Sequence, residues 1–139
     1  MRLFLDTSVL LAASGSPHGA SREIFRRAPL NNWSLIATPY TLDEVTRNLP
    51  DLAPAASTDW LTLRPNLLVM NDVFTLDRPA VFGPAKDRPI LFGALAWADV
   101  LLTHDEGDFG ALADRRFYGL RIERPGIFLE QERAAGRLR

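Results

Sequence analysis

Three short runs of the chain are apolar almost throughout and end on a polar residue: 2–6 (RLFLD), 34–38 (SLIAT) and 100–103 (VLLT). Two further runs, 67–70 (LLVM) and 120–123 (LRIE), are weaker strand candidates. Near-continuous apolar strands, lacking strict alternation, predict a parallel sheet covered on both faces. Helix-like segments lie between them. Residues 8–14 follow the first strand directly, and 21–28 (SREIFRRA) carry Ile24 and Phe25 on an otherwise basic helix. Residues 41–49 place Leu42, Val45 and Leu49 on one face at helical spacing, and 88–98 are apolar nearly all round. Residues 109–117 and 126–135 complete the helical set. Strands alternating with helices predict an α/β fold, a three-layer α/β/α sandwich with a central parallel sheet. From 50 to 84 prolines and short polar groups break the periodicity, although Trp60, Leu61 and Leu63 must pack somewhere.

The length of 139 residues suits one domain spanning 1–139, with a charged tail from about 130 expected to be frayed or helical on the surface. A hydrophobic fraction of 47% suffices for one core, and 24% charged residues indicates neither disorder nor supercharging. Net charge is −1, so any grip on nucleic acid must be local. The absence of cysteine excludes disulfides, zinc–thiolate sites and thiol nucleophiles. The N-terminus lacks the features of a signal peptide, and the apolar stretch 90–102 is interrupted by Asp99 and too short to span a bilayer. A cytoplasmic protein without a membrane partner is the expectation.

Ligands of an open parallel sheet bind outside the carboxyl ends of its strands. Acidic residues concentrate there. Asp6 ends the first strand, and Asp105 follows the 100–103 strand with Asp108 close behind. Glu44 is expected in the first turn of the helix after strand 34–38, and Asp87 immediately precedes the helix at 88–98. Gathered carboxylates repel one another, and a hard divalent cation with oxygen ligands resolves that repulsion. Such a cation lowers the pKa of a bound water and polarises a phosphoryl oxygen, the chemistry of phosphodiester hydrolysis.

These residues form a recognisable pattern. The opening LDTSVLL resembles the first motif of the PIN-domain family, and TPYTLDEV resembles the second. PAKDRPILFGALAWADVLLTHDEGDF resembles the third and fourth motifs run together, and RIERPGIFLEQ the final strand and helix. The resemblance covers about the whole chain, and four motifs in order are far more specific than any one. It implies a sheet with helices on both faces and an Mg²⁺- or Mn²⁺-dependent endoribonuclease, with the metal held by Asp6, Glu44, Asp87 and Asp105. Asp108 is a possible fifth ligand, three residues past Asp105. For a stand-alone chain of this size the family implies the toxin of a VapBC-type toxin–antitoxin pair. It also implies a homodimer, an antitoxin laid over the acidic rim, and RNA products with a 5′-phosphate and a 3′-hydroxyl.

Each residue also has a plainer use. Thr41 and Glu44 have the spacing of a capping box, and Asp87 before Arg88 and Pro89 is a good N-cap. Asp6 has no evident structural use, because a carboxylate beside Leu3–Phe4–Leu5 is costly unless paired and Arg2 should point elsewhere. Thr7 and Ser8 are expected to bond a carboxylate or to start the next helix, and Thr103 to orient Asp6 or Asp105. His18 and His104 suggest a general acid, but a metal-activated water requires none. Arg22, Arg26 and Arg27 make a basic flank open to phosphates, although such runs are usually only solvated. Glu106, Asp43, Asp99 and Asp114 read as surface or turn residues.

Two other classes compete. A catalytically degenerate PIN domain would bind RNA or protein without cleavage, against which the full acidic set argues. A receiver-like signalling domain also gathers acids at a strand edge, but it wants an acidic pair after its first strand and a late lysine. Here Asp6 stands alone after Leu5, and the single lysine is Lys86, beside Asp87.

Overall fold

A computed structural model describes residues 1–75, 88–105 and 116–139, with the backbone alone described at 116 and 117. The five apolar runs form five parallel strands: β1 (Arg2–Leu5), β2 (Ser34–Ala37), β3 (Leu67–Val69), β4 (Val100–Leu102) and β6 (Leu120–Glu123). The short β5 (Arg116–Phe117) pairs antiparallel with β6. The sheet order is β3-β2-β1-β4-β6-β5. Around it stand α1 (Thr7–Gly15), α2 (Ala20–Asn31), α3 (Pro39–Asn48), α4 (Pro54–Leu63), α5 (Arg88–Trp97) and α6 (Pro125–Ala134). The arrangement is an α/β/α sandwich.

Alternation of side chains along the strands splits the core in two. Leu3 and Leu5, with Leu35, Ala37, Val100 and Leu102, pack against apolar residues of α1, α2, α3, α4 and α6. Phe4, Ile36, Leu101 and Ile122 face the other way and pack against Ile90, Leu91, Phe92 and Ala94 of α5. A sheet covered twice leaves its central strands no solvated face, which is why β1 and β4 show no alternating pattern in the sequence. Gly93 permits the closest approach across the second interface. A Cβ there would lie 3.2 Å from Phe4 Cε2 and 3.5 Å from Thr38 Cγ2.

Two sequence expectations need correction. The stretch 50–84 contains a helix, α4, which buries Ala56, Trp60 and Leu63. The helix expected at 109–117 fails at its end, where Arg116 and Phe117 are extended; 109–115 lie outside the described residues. Tyr118 and Gly119 have φ of 48° and 88°. Two successive left-handed residues are what a two-residue hairpin loop requires, so the chain turns back into β6 there.

The charged tail is helical to Ala134 and then held in place. Glu132 is buried, and the Arg137 guanidinium donates to both its carboxylate oxygens at 2.9 and 2.8 Å. Leu138 packs against the core of the α1–α2 face.

Candidate active site

From β1 the chain moves outward through β2 to β3, then crosses to β4 on the other side of β1. The carboxyl ends of β1 and β4 therefore flank the point where strand order reverses, the position at which open α/β sheets open a crevice. Register sets the residues there. Leu5 pairs with Leu102, so Asp6 and Thr103 come next on adjacent strands, and Asp6 N–H donates to Leu102 O at 3.0 Å.

Asp6 is 4% exposed. Its Oδ1 accepts from the Thr7 N–H at 2.7 Å, and its Oδ2 from Ser8 Oγ at 2.9 Å and Thr103 Oγ1 at 2.7 Å. Asp6 is thus the N-cap of α1, a structural use the sequence reading did not assign to it. All three donors are neutral, and no Lys, Arg or His pairs with Asp6 among the described residues. Arg2 points away to Asp99, with its N–H on Oδ2 at 2.8 Å and its guanidinium on Oδ1 at 3.4 Å. Burial pushes the Asp6 carboxyl above its ordinary value; the three hydrogen bonds oppose the rise, and the nearby charge of Asp105 adds to it.

The same hydroxyls tie neighbouring backbone to Asp6. Thr103 Oγ1 accepts from the Asp105 N–H at 3.0 Å, and Ser8 Oγ accepts from the His104 N–H at 3.0 Å. The loop after β4 is thereby fastened to the start of α1. Thr7 Oγ1 donates to Glu44 Oε1 at 2.9 Å, which draws α3 to the same rim.

The alternative use weighed for Glu44, a capping box with Thr41, is not formed. The helix begins at Pro39, two residues before Thr41, and Thr38 is the N-cap residue. Thr41 Oγ1 accepts from the Thr38 N–H at 3.1 Å, so Thr41 fills the position that the sequence reading gave to Glu44. Glu44 consequently lies in the second turn, with its carboxylate toward Thr7. Threonine followed by proline is the local signal of this earlier start.

Asp6, Glu44 and Asp105 are therefore brought to one rim with Thr7, Ser8 and Thr103 between them. Asp87 and Asp108 lie outside the described residues, as do Glu106 and Asp114. Among the described residues no group of three or more His, Cys, Asp and Glu side chains is positioned to hold a metal ion. The chemistry of the donors present still suits a hard cation: the carboxylates supply oxygen alone, and the Asp6 charge is buried with no cationic partner among the described residues.

Beside the acids stands His104, whose Nε2 shares a hydrogen bond of 2.7 Å with the buried Ser21 Oγ. Desolvation first, then the charge of Arg124, holds the imidazole below its ordinary pKa against the pull of Asp6. Neither Ser21 nor Arg124 stood out in the sequence, since only the packing of α2 against α6 beside the loop after β4 brings them here. The basic flank of α2 is engaged within the fold. Arg22 bonds Ala13 O and Asp59 at 2.5 and 2.6 Å, and Arg26 and Arg27 reach Glu23 at 2.6 and 2.7 Å. His18 is exposed.

No protein-family model and no curated protein matches this chain. No helix among the described residues is long and apolar enough to cross a membrane.

Proposed function

We propose that this chain is a Mg²⁺- or Mn²⁺-dependent endoribonuclease of the PIN type, acting in the cytoplasm as the VapC-like toxin of a toxin–antitoxin pair. The observation that carries the reading is Asp6, a buried carboxylate at the strand-order reversal, ringed by neutral donors and uncompensated by any cation among the described residues. A fold tolerates such a group where its charge has a use.

Asp6, Glu44 and Asp105 would hold the cation, joined by Asp87 and by Asp108 as the further acid. When bound, the cation supplies the acidity that activates water and the charge that stabilises phosphoryl and leaving oxygens. The protein's own part is preorganisation. Thr7 N–H, Ser8 and Thr103 fix the Asp6 carboxylate before any substrate arrives, and Thr103 holds the Asp105 backbone against the same atom. Thr7 Oγ1 holds one oxygen of Glu44. Rigid acids make the site complementary to charge developing on a phosphodiester without reorganising during reaction.

One observation favours a second reading, a degenerate PIN domain that binds RNA or protein without cutting: the described residues alone do not assemble a metal cluster. The deciding experiment incubates the purified chain with labelled single-stranded RNA in Mg²⁺, in Mn²⁺ and in EDTA. The nuclease reading expects internal cleavage leaving 5′-phosphates, abolished by EDTA and by Asp6→Asn. Intact RNA in both metals supports the binding module, and full metal-dependent cleavage by Asp6→Asn removes Asp6 from the site. The toxin assignment adds a homodimer and an antitoxin, checked by solution mass and by co-expression with the product of the adjacent reading frame.

A further inference from the structure

A cleft of about 340 Å³ opens beside the acidic rim, lined by Ala20, His104, Arg124, Gly126, Ile127 and Glu130. It is contiguous with the candidate site through the backbone. His104, one of its walls, precedes Asp105 and is bonded through its N–H to Ser8, which itself bonds Asp6. The imidazole is fixed in place by Ser21 at 2.7 Å. The lining of the cleft is chemically mixed. Arg124 supplies a cation, His104 and Ile127 supply flat and apolar wall, and Glu130 supplies an acceptor. Glu130 makes no hydrogen bond or ion pair within the described residues. A bare phosphate would want cations all round, which the Glu130 carboxylate forbids. A nucleotide wants this mixture: charge for its phosphate, a plane for its base, and an acceptor for the base edge.

We infer that this cleft is a subsite for one nucleotide of single-stranded RNA, flanking the bond cut at the acidic rim, with Arg124 on its phosphate and Glu130 reading its base. Guanine is the base that fits Glu130 best, because its N1–H and N2–H donors are adjacent and match a carboxylate's two oxygens, whereas uracil offers one donor between two acceptors. The inference rests on RNA being the substrate class proposed above, and it adds a sequence preference and the residues that set it. The volume is in the lower part of the range for small-ligand sites, consistent with one nucleotide rather than a longer segment.

Fluorescently labelled short RNAs that differ only at one central base test the inference. Binding is read by anisotropy in the Asp6→Asn background, so cleavage does not intervene, and cut sites in the unsubstituted chain are mapped separately. Guanine should be preferred roughly tenfold over uracil, the scale of one good polar contact to a base edge. Glu130→Gln should collapse that preference while leaving affinity for the uracil RNA within about twofold, because it alters only the base-edge contact. Arg124→Ala should weaken every RNA by about tenfold, and Arg124→Lys should recover part of it, as expected of a phosphate contact. Thermal melting of each variant checks that it is folded. Equal affinity for all bases, or variants that bind with unchanged affinity and preference, overturns the subsite even if the unsubstituted chain cleaves RNA. Discriminating binding without cleavage in the unsubstituted chain retains the subsite and overturns the nuclease reading instead. Failure to bind any RNA overturns both.

Discussion

Asp6 carries two roles that pull in different directions. As the N-cap of α1 it accepts the Thr7 N–H, a role worth about 1 kcal/mol in a typical helix. As a buried anion it costs desolvation, and its raised pKa means that the folded protein resists ionising it. An acid whose folded pKa lies above its unfolded value destabilises the fold only where it is charged. The penalty is absent in acid below the ordinary value of 3.8, grows as pH rises toward the folded pKa, and is complete above it. Asparagine keeps a capping oxygen without the charge but sets an NH2 group where Ser8 and Thr103 donate, a cost that does not vary with pH. The melting temperature of Asp6→Asn relative to the unsubstituted chain should therefore rise from acid toward neutral pH, as the charge penalty of the aspartate sets in. Mg²⁺ should raise the melting temperature of the unsubstituted chain and leave that of the variant unmoved. Calorimetry across pH, with and without the metal, reads both effects; a difference that does not change with pH would mean the charge is compensated in the fold. Legibility at this scale was uneven. The position of Asp6 at a strand end was readable from RLFLD, and Thr7, Ser8 and Thr103 read as partners for a carboxylate; which acid Thr103 serves stayed open, because it reaches Asp6 from 97 residues away. The capping alternative for Glu44 came from Thr41-x-x-Glu44 matching a local rule that Thr38 and Pro39 had already satisfied upstream.

Elements were readable where burial is two-sided and obscure where it is partial. The strands β1, β2 and β4 are apolar runs because both faces are covered, and that property survives in the sequence without any tertiary information. Helix α4 was missed because only Ala56, Trp60 and Leu63 of its ten residues are buried, while Leu61 is 73% exposed and blurs the stripe. The end of α6 shows the opposite case, a charged segment that is partly buried. Glu132 is held by Arg137 at 2.8 Å and approached by Arg121 at 3.6 Å, while Arg121 also lies 5.4 Å from the centre of the Phe128 ring. These contacts hold the Glu132 carboxyl below its ordinary value of 4.5, the Arg137 hydrogen bond most of all. An acid with a depressed folded pKa stabilises the fold fully above its unfolded value, and that contribution disappears as pH falls through the folded one. Glu132→Gln keeps the volume but not the charge, and should cost about 1 kcal/mol at neutral pH, a modest figure because Arg137 is largely solvated. The cost should fade in acid. Urea unfolding at neutral and acid pH measures it; a cost independent of pH would assign Glu132 a packing role alone.

At the scale of the whole molecule, a net charge of −1 sets how this chain can hold a polyanion. No excess of positive charge draws RNA in from a distance, and the candidate site itself is acidic. Of the three arginines of α2 that would have made a phosphate-binding flank, Arg22 is turned onto Ala13 O and Asp59, and Arg26 and Arg27 share the Glu23 carboxylate at the surface, which offsets part of their charge. Affinity must then come from a few local contacts, Arg124 foremost, together with base recognition in the adjoining cleft. This has a quantitative consequence. Each phosphate neutralised on a single strand contributes about −0.7 to the slope of log affinity against log salt concentration. One to three contacts predict a slope of roughly −1 to −2, far shallower than for proteins that grip a backbone along a basic face. Anisotropy titrations at graded salt, with divalent cation held constant, give the slope directly. Arg124→Ala should flatten it by about 0.7, one phosphate's worth. A slope beyond about −4 would require a basic surface engaging at least five phosphates, and binding would then be organised by a part of the molecule other than the rim at β1 and β4.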